Sequence, residues 1–173
     1  MSEPGQPGSP REPAQPVQPG QPAAPSGLGE LVGRLNAAIA RRFARSLAVL
    51  AVSAGDCGGC RAELGAAFGP VHDVQRLGVD IVVTPRHADA LLVTGPVTDA
   101  MREPLLRAHA AMSEPRIVIA AGACAIDGHI FVGAPAVVGP LSALLPVDIF
   151  IPGCPPTPRQ LIEGLMAAMG RRA

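Results

Sequence analysis

The 173-residue sequence contains no lysine, tryptophan or tyrosine, and its aromatic residues are four phenylalanines. Its 14 basic side chains are all arginine, and 14 acidic side chains balance them, so the formal net charge is zero. A neutral chain lacks the electrostatic attraction on which nucleic-acid binding depends. The shortage of aromatic rings also removes the stacking surfaces that commonly hold a flavin or a base. The composition therefore indicates no nucleic-acid partner.

No secretory signal is recognisable at the start of the chain. The pair Arg41-Arg42, followed by the apolar run 47–54, has the form of a twin-arginine export signal. The arginines lie too far from the start for such a signal, and the apolar run is short for one. We expect a helix end followed by a strand there.

In a chain without a recognisable secretory signal, four cysteines favour metal or redox chemistry over a disulfide framework.

Two regions of different composition divide the chain. Residues 1–27 are rich in Pro, Gly and Gln, which predicts a disordered tail. Residues 28–173 are long enough for one α/β domain with its own core. This domain opens with a predicted amphipathic helix, which packs on its own sheet or docks on a partner subunit or a membrane surface. The apolar stripe of that helix is Leu28, Leu31, Val32, Leu35, Ile39 and Phe43.

Short apolar runs alternate with helical patterns along the rest of the chain. This alternation predicts a doubly wound, parallel α/β sheet with helices on both faces. The predicted strands are 47–52, 79–83, 90–93, 116–121 and 147–151. The predicted helices are 61–68, a second that runs from a cap at Thr98 to about Met112, and 161–169. Thr157 and Gln160 have the form of a capping box before the last helix, and Pro158 falls at its first helical position. The uncharged segment 130–147 contains too many Pro and Gly residues to span a membrane, and we expect an apolar loop over the site or against another protein.

All four cysteines follow the ends of predicted strands. Cys57 and Cys60 follow the first strand, Cys124 follows the fourth, and Cys154 follows the last. Ligands of open parallel sheets bind beyond the carboxyl ends of the strands. The four thiols are therefore predicted to converge on one site. Cys57 and Cys60 also lie at a predicted helix N-terminus, which favours thiolates, and the intervening Gly58-Gly59 gives a bulky ligand access to the backbone.

Four thiols are able to hold an iron–sulfur cluster, bind structural zinc or carry out dithiol chemistry. A cubane cluster with one thiolate at each iron accounts for all four. A thioredoxin-like dithiol at Cys57 and Cys60 leaves the other two unexplained, and zinc is unnecessary for a scaffold of this size. A c-type haem motif is absent because Arg61 occupies the position where His is required.

Four motifs in the same order resemble the small subunit of membrane-bound (group 4) nickel–iron hydrogenases and formate hydrogenlyase-type complexes. They are also similar to the related 20 kDa subunit of respiratory complex I. These motifs are Cys57-Gly58-Gly59-Cys60-Arg61-Ala62-Glu63, Leu92-Val93-Thr94-Gly95-Pro96-Val97-Thr98, Gly122-Ala123-Cys124-Ala125 and Ile151-Pro152-Gly153-Cys154-Pro155-Pro156. The separated cysteines of the first motif resemble the hydrogenase branch, since complex I subunits typically have adjacent cysteines there. Gly58 departs from the Asn that is frequent at its position.

The resemblance implies a flavodoxin-like fold and a 4Fe-4S cluster on Cys57, Cys60, Cys124 and Cys154. It also implies an electron-transfer subunit of an oxidoreductase complex without catalysis of its own. The implied partners are a hydrogenase-type large subunit, a ferredoxin-like cluster subunit and membrane-arm subunits. The implied location is the cytoplasmic face of the membrane, with peripheral attachment through the complex. A quinone-linked, complex I-like function is the alternative, and a thiol–disulfide oxidoreductase is a third.

Several other polar residues lie near the cysteines in sequence. Glu63 is expected in the first turn of its helix, as an ordinary helix start or a proton-relay group. Arg61 and Arg159 are either solvated or offset cluster charge. His129 is the histidine closest to a cysteine. The remaining histidines, His72, His87 and His109, are expected at the surface.

Overall fold

A computed structural model describes residues 46–170 of the chain. The predicted tail, the amphipathic helix and the twin-arginine pair lie outside the described residues. The strands are β1 (Leu47–Ser53), β2 (Val79–Ile81), β3 (Ala90–Thr94), β4 (Val97–Thr98), β5 (Ile117–Ala121), β6 (Val137–Gly139) and β7 (Ile149–Ile151). Four α-helices are described in the same range: α1 (Gly59–Ala67), α2 (Asp99–Ala111), α3 (Ala123–Asp127) and α4 (Pro158–Ala168). Short 3-10 turns occupy Val74–Leu77, Pro85–His87, His129–Phe131 and Leu141–Ala143.

Five strands form a parallel sheet in the order β2-β1-β3-β5-β7. Counted within this sheet alone, that is the 2-1-3-4-5 order of flavodoxin-like proteins. The central strands β3 and β5 are buried along their whole length, as their unbroken apolar sequences require. The predicted fold class and all five predicted strands are confirmed.

A separate hydrophobic core covers each face of the sheet. On one face, Leu64 of α1 and Leu161 and Leu165 of α4 pack on the sheet. On the other face, Leu105 of α2 and Ala125 of α3 pack on it. Because helices cover both faces, the carboxyl edge of the sheet is left as the open end of the layered structure.

The last helix begins as its sequence predicts. Thr157 accepts a hydrogen bond from the Gln160 N–H, and the Gln160 side chain accepts one from the Thr157 N–H. Pro158 occupies the first turn, where its missing N–H costs nothing. The capping box is therefore confirmed, and it fixes where the chain turns after Cys154.

Thr98 does not cap α2 with its side chain, contrary to prediction. Its hydroxyl donates instead to the Ala54 carbonyl, at 2.9 Å. Thr98 belongs to β4, which pairs with β6 in a two-stranded antiparallel ribbon that the sequence pattern did not predict. A tertiary hydrogen bond to Ala54 therefore orients the hydroxyl away from the helix start.

The apolar segment 130–147 is not one continuous loop. It contains β6 and a 3-10 turn, and Leu141 and Leu145 are buried in the core of the chain. Ile130 and Val132 are 76% and 72% exposed, so only the start of the segment presents large apolar side chains to the outside. None of the helices within residues 46–170 has the length and apolar character needed to cross a bilayer.

Candidate functional site

The four cysteines line one pocket at the carboxyl edge of the sheet. Cys57 lies between β1 and α1, Cys60 is the second residue of α1, Cys124 lies in α3 directly after β5, and Cys154 follows β7. The pocket has a volume of about 150 Å³. Its remaining lining residues are Asp56, Gly59, Gly95, Ala123, Gly153 and Pro155. The predicted convergence of the thiols is confirmed, whereas their role as ligands stays a prediction.

The thiols differ in how far they lie inside the protein. Cys60 is 7% exposed and forms the floor of the pocket, whereas Cys57 and Cys154 are exposed and Cys124 is half-buried. All four are free thiols. The pocket is therefore buried on the side of Cys60 and open to the outside on the side of Cys57 and Cys154.

Gly122 makes room for the buried thiol. A Cβ atom at this position would lie 2.6 Å from the Cys60 Sγ. The backbone of Gly122 has φ 92° and ψ 152°, a conformation available to essentially no other residue. Gly122 therefore serves both the sharp turn after β5 and the close approach of Cys60 and the neighbouring loop.

The two glycines between the first cysteines have different roles. A Cβ at Gly59 would lie 3.7 Å from both the Cys57 Sγ and the Pro155 ring, so this position borders the pocket. A Cβ at Gly58 would meet nothing within 4 Å, but Gly58 has φ 92° at the start of α1. Gly58 is thus needed for its backbone conformation, and ligand access at this position stays a prediction.

Burial raises the pKa of the Cys60 thiol to about 11, and the neighbouring Asp56 and the other three thiols add to the rise. Burial also raises the pKa of Cys124, followed by the nearby Cys154 and Cys57. The helix N-terminus therefore does not make Cys60 a free thiolate, contrary to expectation. Four sulfurs this close together repel as thiolates, and a cationic centre among them would relieve that repulsion.

Asp56 is a residue of the site that sequence reasoning missed. Its carboxylate accepts hydrogen bonds from the Thr94 hydroxyl and from the Gly58 N–H, the latter at 3.1 Å. Partial burial acts to raise the pKa of Asp56, but these bonds, one from Ser53 and the charge of Arg61 outweigh it and lower the pKa. The available signal was its position directly before Cys57 at the end of a strand.

The other polar residues singled out from the sequence lie outside the pocket lining. Glu63 is the fifth residue of α1, so it lies in the second turn and not the first. His129 is exposed, and its backbone N–H donates to the Asp127 carboxylate. Arg159 forms an exposed ion pair with Glu163.

The four-thiol pocket fits an iron–sulfur cluster by its donor chemistry. Thiolates are the usual ligands of such clusters. Within residues 46–170, no three His, Cys, Asp or Glu side chains come together closely enough to hold one metal ion. A cubane presents a separate iron to each thiolate, so its ligands surround a volume and need not meet at one point. Gly122, where a side chain would collide with the Cys60 Sγ, keeps that volume clear.

A flavodoxin-like sheet with four thiols from three strand ends around one pocket defines an α/β protein with a cysteine site at its carboxyl edge. Residues 57–168 match the family model described as the NADH ubiquinone oxidoreductase 20 kDa subunit. The chain belongs to this family, which confirms the resemblance drawn from the four motifs.

The curated relatives come from both branches of the resemblance. Formate hydrogenlyase subunit 7 of Escherichia coli is 43% identical over 82% of this chain and 55% of its own length. The probable membrane-bound hydrogenase subunit mbhJ of Pyrococcus furiosus is 42% identical over 79% of this chain and 82% of its own. An NADH-quinone oxidoreductase subunit of Carboxydothermus hydrogenoformans is 45% identical over 61% of this chain and 64% of its own. The chain thus spans little more than half of the first of these relatives, and all three are subunits of oxidoreductase complexes.

Solved structures share the fold. A chain of the membrane-bound sulfane sulfur reductase, an archaeal respiratory membrane complex, is similar with a TM-score of 0.66 and 28% identity, over 76% of this chain and 72% of that one. A chain of an NAD⁺-reducing [NiFe]-hydrogenase has a TM-score of 0.59 and 23% identity, over 74% of this chain and 94% of that one. The latter likeness supports the fold alone.

Proposed function

We propose that this chain is the electron-transfer subunit of a hydrogenase-type complex and holds one 4Fe-4S cluster on Cys57, Cys60, Cys124 and Cys154. The observation that carries the proposal is the pocket itself, because four free thiols from three strand ends line it together. Both curated branches of the family are named as subunits of redox complexes.

When bound, the cluster would gain and lose one electron at a time, and the protein's part is to hold and tune it. Cys60 anchors the site in the core through α1, and Cys124 joins it to the central strand β5. Gly122 and Gly59 keep side chains out of the space between the thiols. We infer that the chain performs no bond-breaking step of its own.

We propose that a large subunit covers the open side of the pocket. Cys57 and Cys154 are exposed there, and Ile130 and Val132 present apolar surface on the segment that follows Cys124. Exposed apolar side chains are typical of a surface that a partner buries. The names of the relatives place them in hydrogenase and membrane-bound complexes. We therefore propose a ferredoxin-like cluster subunit and membrane-arm subunits as further partners, with peripheral attachment at the cytoplasmic face of the membrane.

The test is anaerobic purification of the full-length chain with its co-purifying subunits, followed by iron and acid-labile sulfide assays and EPR. We expect at least about four iron and four sulfide per copy of this chain, because each thiol holds one iron of a cubane and a co-purifying cluster subunit adds iron of its own. Cys154→Ser should lose about four of these iron atoms and the associated large subunit, whereas Ser113→Ala, an exposed residue outside the pocket lining, should lose neither. A colourless wild type free of iron and sulfide would refute the proposal.

A quinone-linked, complex I-like function is the second candidate, and the likeness to an NADH-quinone oxidoreductase subunit favours it. It uses the same cluster, so the iron assay does not separate the two. Nickel in the co-purified large subunit would indicate the hydrogenase function, and quinone-dependent oxidation without nickel would indicate the other.

A thiol–disulfide oxidoreductase is disfavoured because it would use Cys57 and Cys60 and leave Cys124 and Cys154, which line the same pocket, without a role. Such an enzyme would also tolerate Cys154→Ser. Full two-electron dithiol activity in that variant, with no bound iron in the wild type, would restore this candidate.

A further inference from the structure

Asp56 lines the thiol pocket, and it is the one acidic residue among the described residues that do so. The other lining residues are cysteine, glycine, alanine and proline. Asp56 directly precedes Cys57, in the loop that follows β1 and carries the first two cysteines.

Two donors from different parts of the site bind the two carboxylate oxygens. The Thr94 hydroxyl donates to Oδ2, and the Gly58 N–H donates to Oδ1 at 3.1 Å. Thr94 is 4% exposed and ends the central strand β3, so its hydroxyl has little freedom to move. The carboxylate therefore bridges the sheet and the cysteine loop.

The backbone of Asp56 is held as firmly as its side chain. Gly95 has φ 80°, and a Cβ at this position would lie 2.3 Å from the Asp56 N. The turn after β3 thus packs directly on the peptide unit before Cys57. A carboxylate fixed at both ends cannot swing out into solvent when the charge of the site changes.

The hydrogen bonds that hold this carboxylate favour its charged form. The Thr94 hydroxyl and the Gly58 N–H both donate to it, and donated hydrogen bonds stabilise a carboxylate over the neutral acid. Asp56 lines the same pocket as the four thiols. A fixed negative charge therefore lies beside the sulfurs.

We propose that Asp56 is a positioning residue that holds the reduction potential of the bound cluster low. A fixed negative charge opposes the arrival of an electron, because net charge near a cluster is one of the factors that set its potential. Asp56 also occupies the Gly58 N–H, which removes one donor from the set available to the cluster sulfurs. This inference rests on the proposed cluster, and it assigns the site to exchange with low-potential electron partners.

The experiment is an EPR-monitored redox titration of the full-length chain, purified anaerobically with its co-purifying subunits, as wild type and as Asp56→Asn. Asparagine keeps the size of the side chain and one acceptor oxygen but removes the charge. We expect unchanged iron and sulfide and an equilibrium for one-electron reduction at least tenfold more favourable, which corresponds to about 59 mV towards positive potential. The matched control is Glu103→Gln, which removes an equal charge from the exposed surface of α2, outside the pocket lining, and should shift the potential far less.

A second pair of variants keeps the test decisive if Asp56→Asn loses iron. Asp56→Glu and Asp56→Gln have equal length and disturb the Thr94 contact alike, so the difference between their potentials isolates the charge. We expect the Gln variant to have the higher potential. Equal potentials within this pair, or a shift in Glu103→Gln as large as that in Asp56→Asn, would overturn the inference. Absence of iron from the wild type would instead refute the proposed function, so the two failures are distinguishable.

Discussion

Gly122→Ala should damage both the fold and the thiol pocket. The added Cβ would lie 2.6 Å from the Cys60 Sγ, in a backbone conformation with φ 92° and ψ 152°. The backbone strain costs about 1–3 kcal/mol, and overpacking against a buried thiol costs about 1–3 kcal/mol more. Together they amount to roughly 2–6 kcal/mol, a large part of the roughly 5–15 kcal/mol by which a domain is stable.

The local structure offers little room for relaxation. The Gly122 N–H donates to the Ile151 carbonyl at 2.8 Å, and the next N–H, of Ala123, donates to the Gly153 carbonyl at 2.8 Å. A change of φ at Gly122 would break these links between β5 and the loop that carries Cys154. We therefore expect Cys60 to move, and iron content to fall together with the free energy of unfolding.

The assay is urea-induced unfolding of the full-length chain followed by circular dichroism, with iron and sulfide measured on the same preparations. Two glycines provide controls. Gly133→Ala adds a methyl group at φ 81° with nothing within 4 Å, so it should cost only about 1–2 kcal/mol of backbone strain. Gly65→Ala, exposed within α1 and also without neighbours, should stabilise by about 0.5–1 kcal/mol. Wild-type stability and iron content in Gly122→Ala would show that the contact with Cys60 is not as close as described.

Three further predictions concern stability away from the pocket. The buried Val118 N–H donates to the Asp148 carboxylate at 2.8 Å. Asp148→Ala leaves this N–H without its partner and should lower the free energy of unfolding in urea by roughly 1–3 kcal/mol, whereas Asp148→Asn should lower it less. Thr157→Ala removes the capping box of α4 and should cost about 1 kcal/mol, while Thr157→Ser should match wild type and a neutral alanine variant would contradict the cap. Burial, and then the Arg116 charge, lowers the pKa of His109 below 6.5, so stability should fall as the pH drops below 6.5 through the folded-state pKa. His109→Gln should flatten that part of the profile, and an unchanged slope would refute the assignment.

The parallel sheet was predictable because its strands are short apolar runs bounded by turn residues. β3 and β5 are buried on both faces, and their sequences show it directly. The capping box of α4 was equally local. The ribbon of β4 and β6 was not, because β4 is two residues long and its pairing partner lies about forty residues away in the chain. Thr98 does not cap α2 because its hydroxyl is directed to the Ala54 carbonyl, 44 residues earlier in the chain.

The sequence predicted which thiols line the site, but not how deeply each is buried or which other groups surround them. Strand ends of a parallel sheet share one edge, so the order of the four cysteines was enough to predict that they meet. The pKa of Cys60 was predicted with the wrong sign, because a helix N-terminus is a local feature whereas burial depends on the whole fold. Asp56 was missed since its partner Thr94 lies 38 residues away and no local pattern joins them.

The chain's own sequence determined that three strand ends deliver four sulfurs to one edge, because the direction of parallel strands leaves them no other place. Only the tertiary structure decided which sulfur is buried, which glycine must stay a glycine, and which acidic residue lines the pocket. Those properties arise from contacts between segments remote in the sequence, where burial and close approach outweigh the local preferences of each residue.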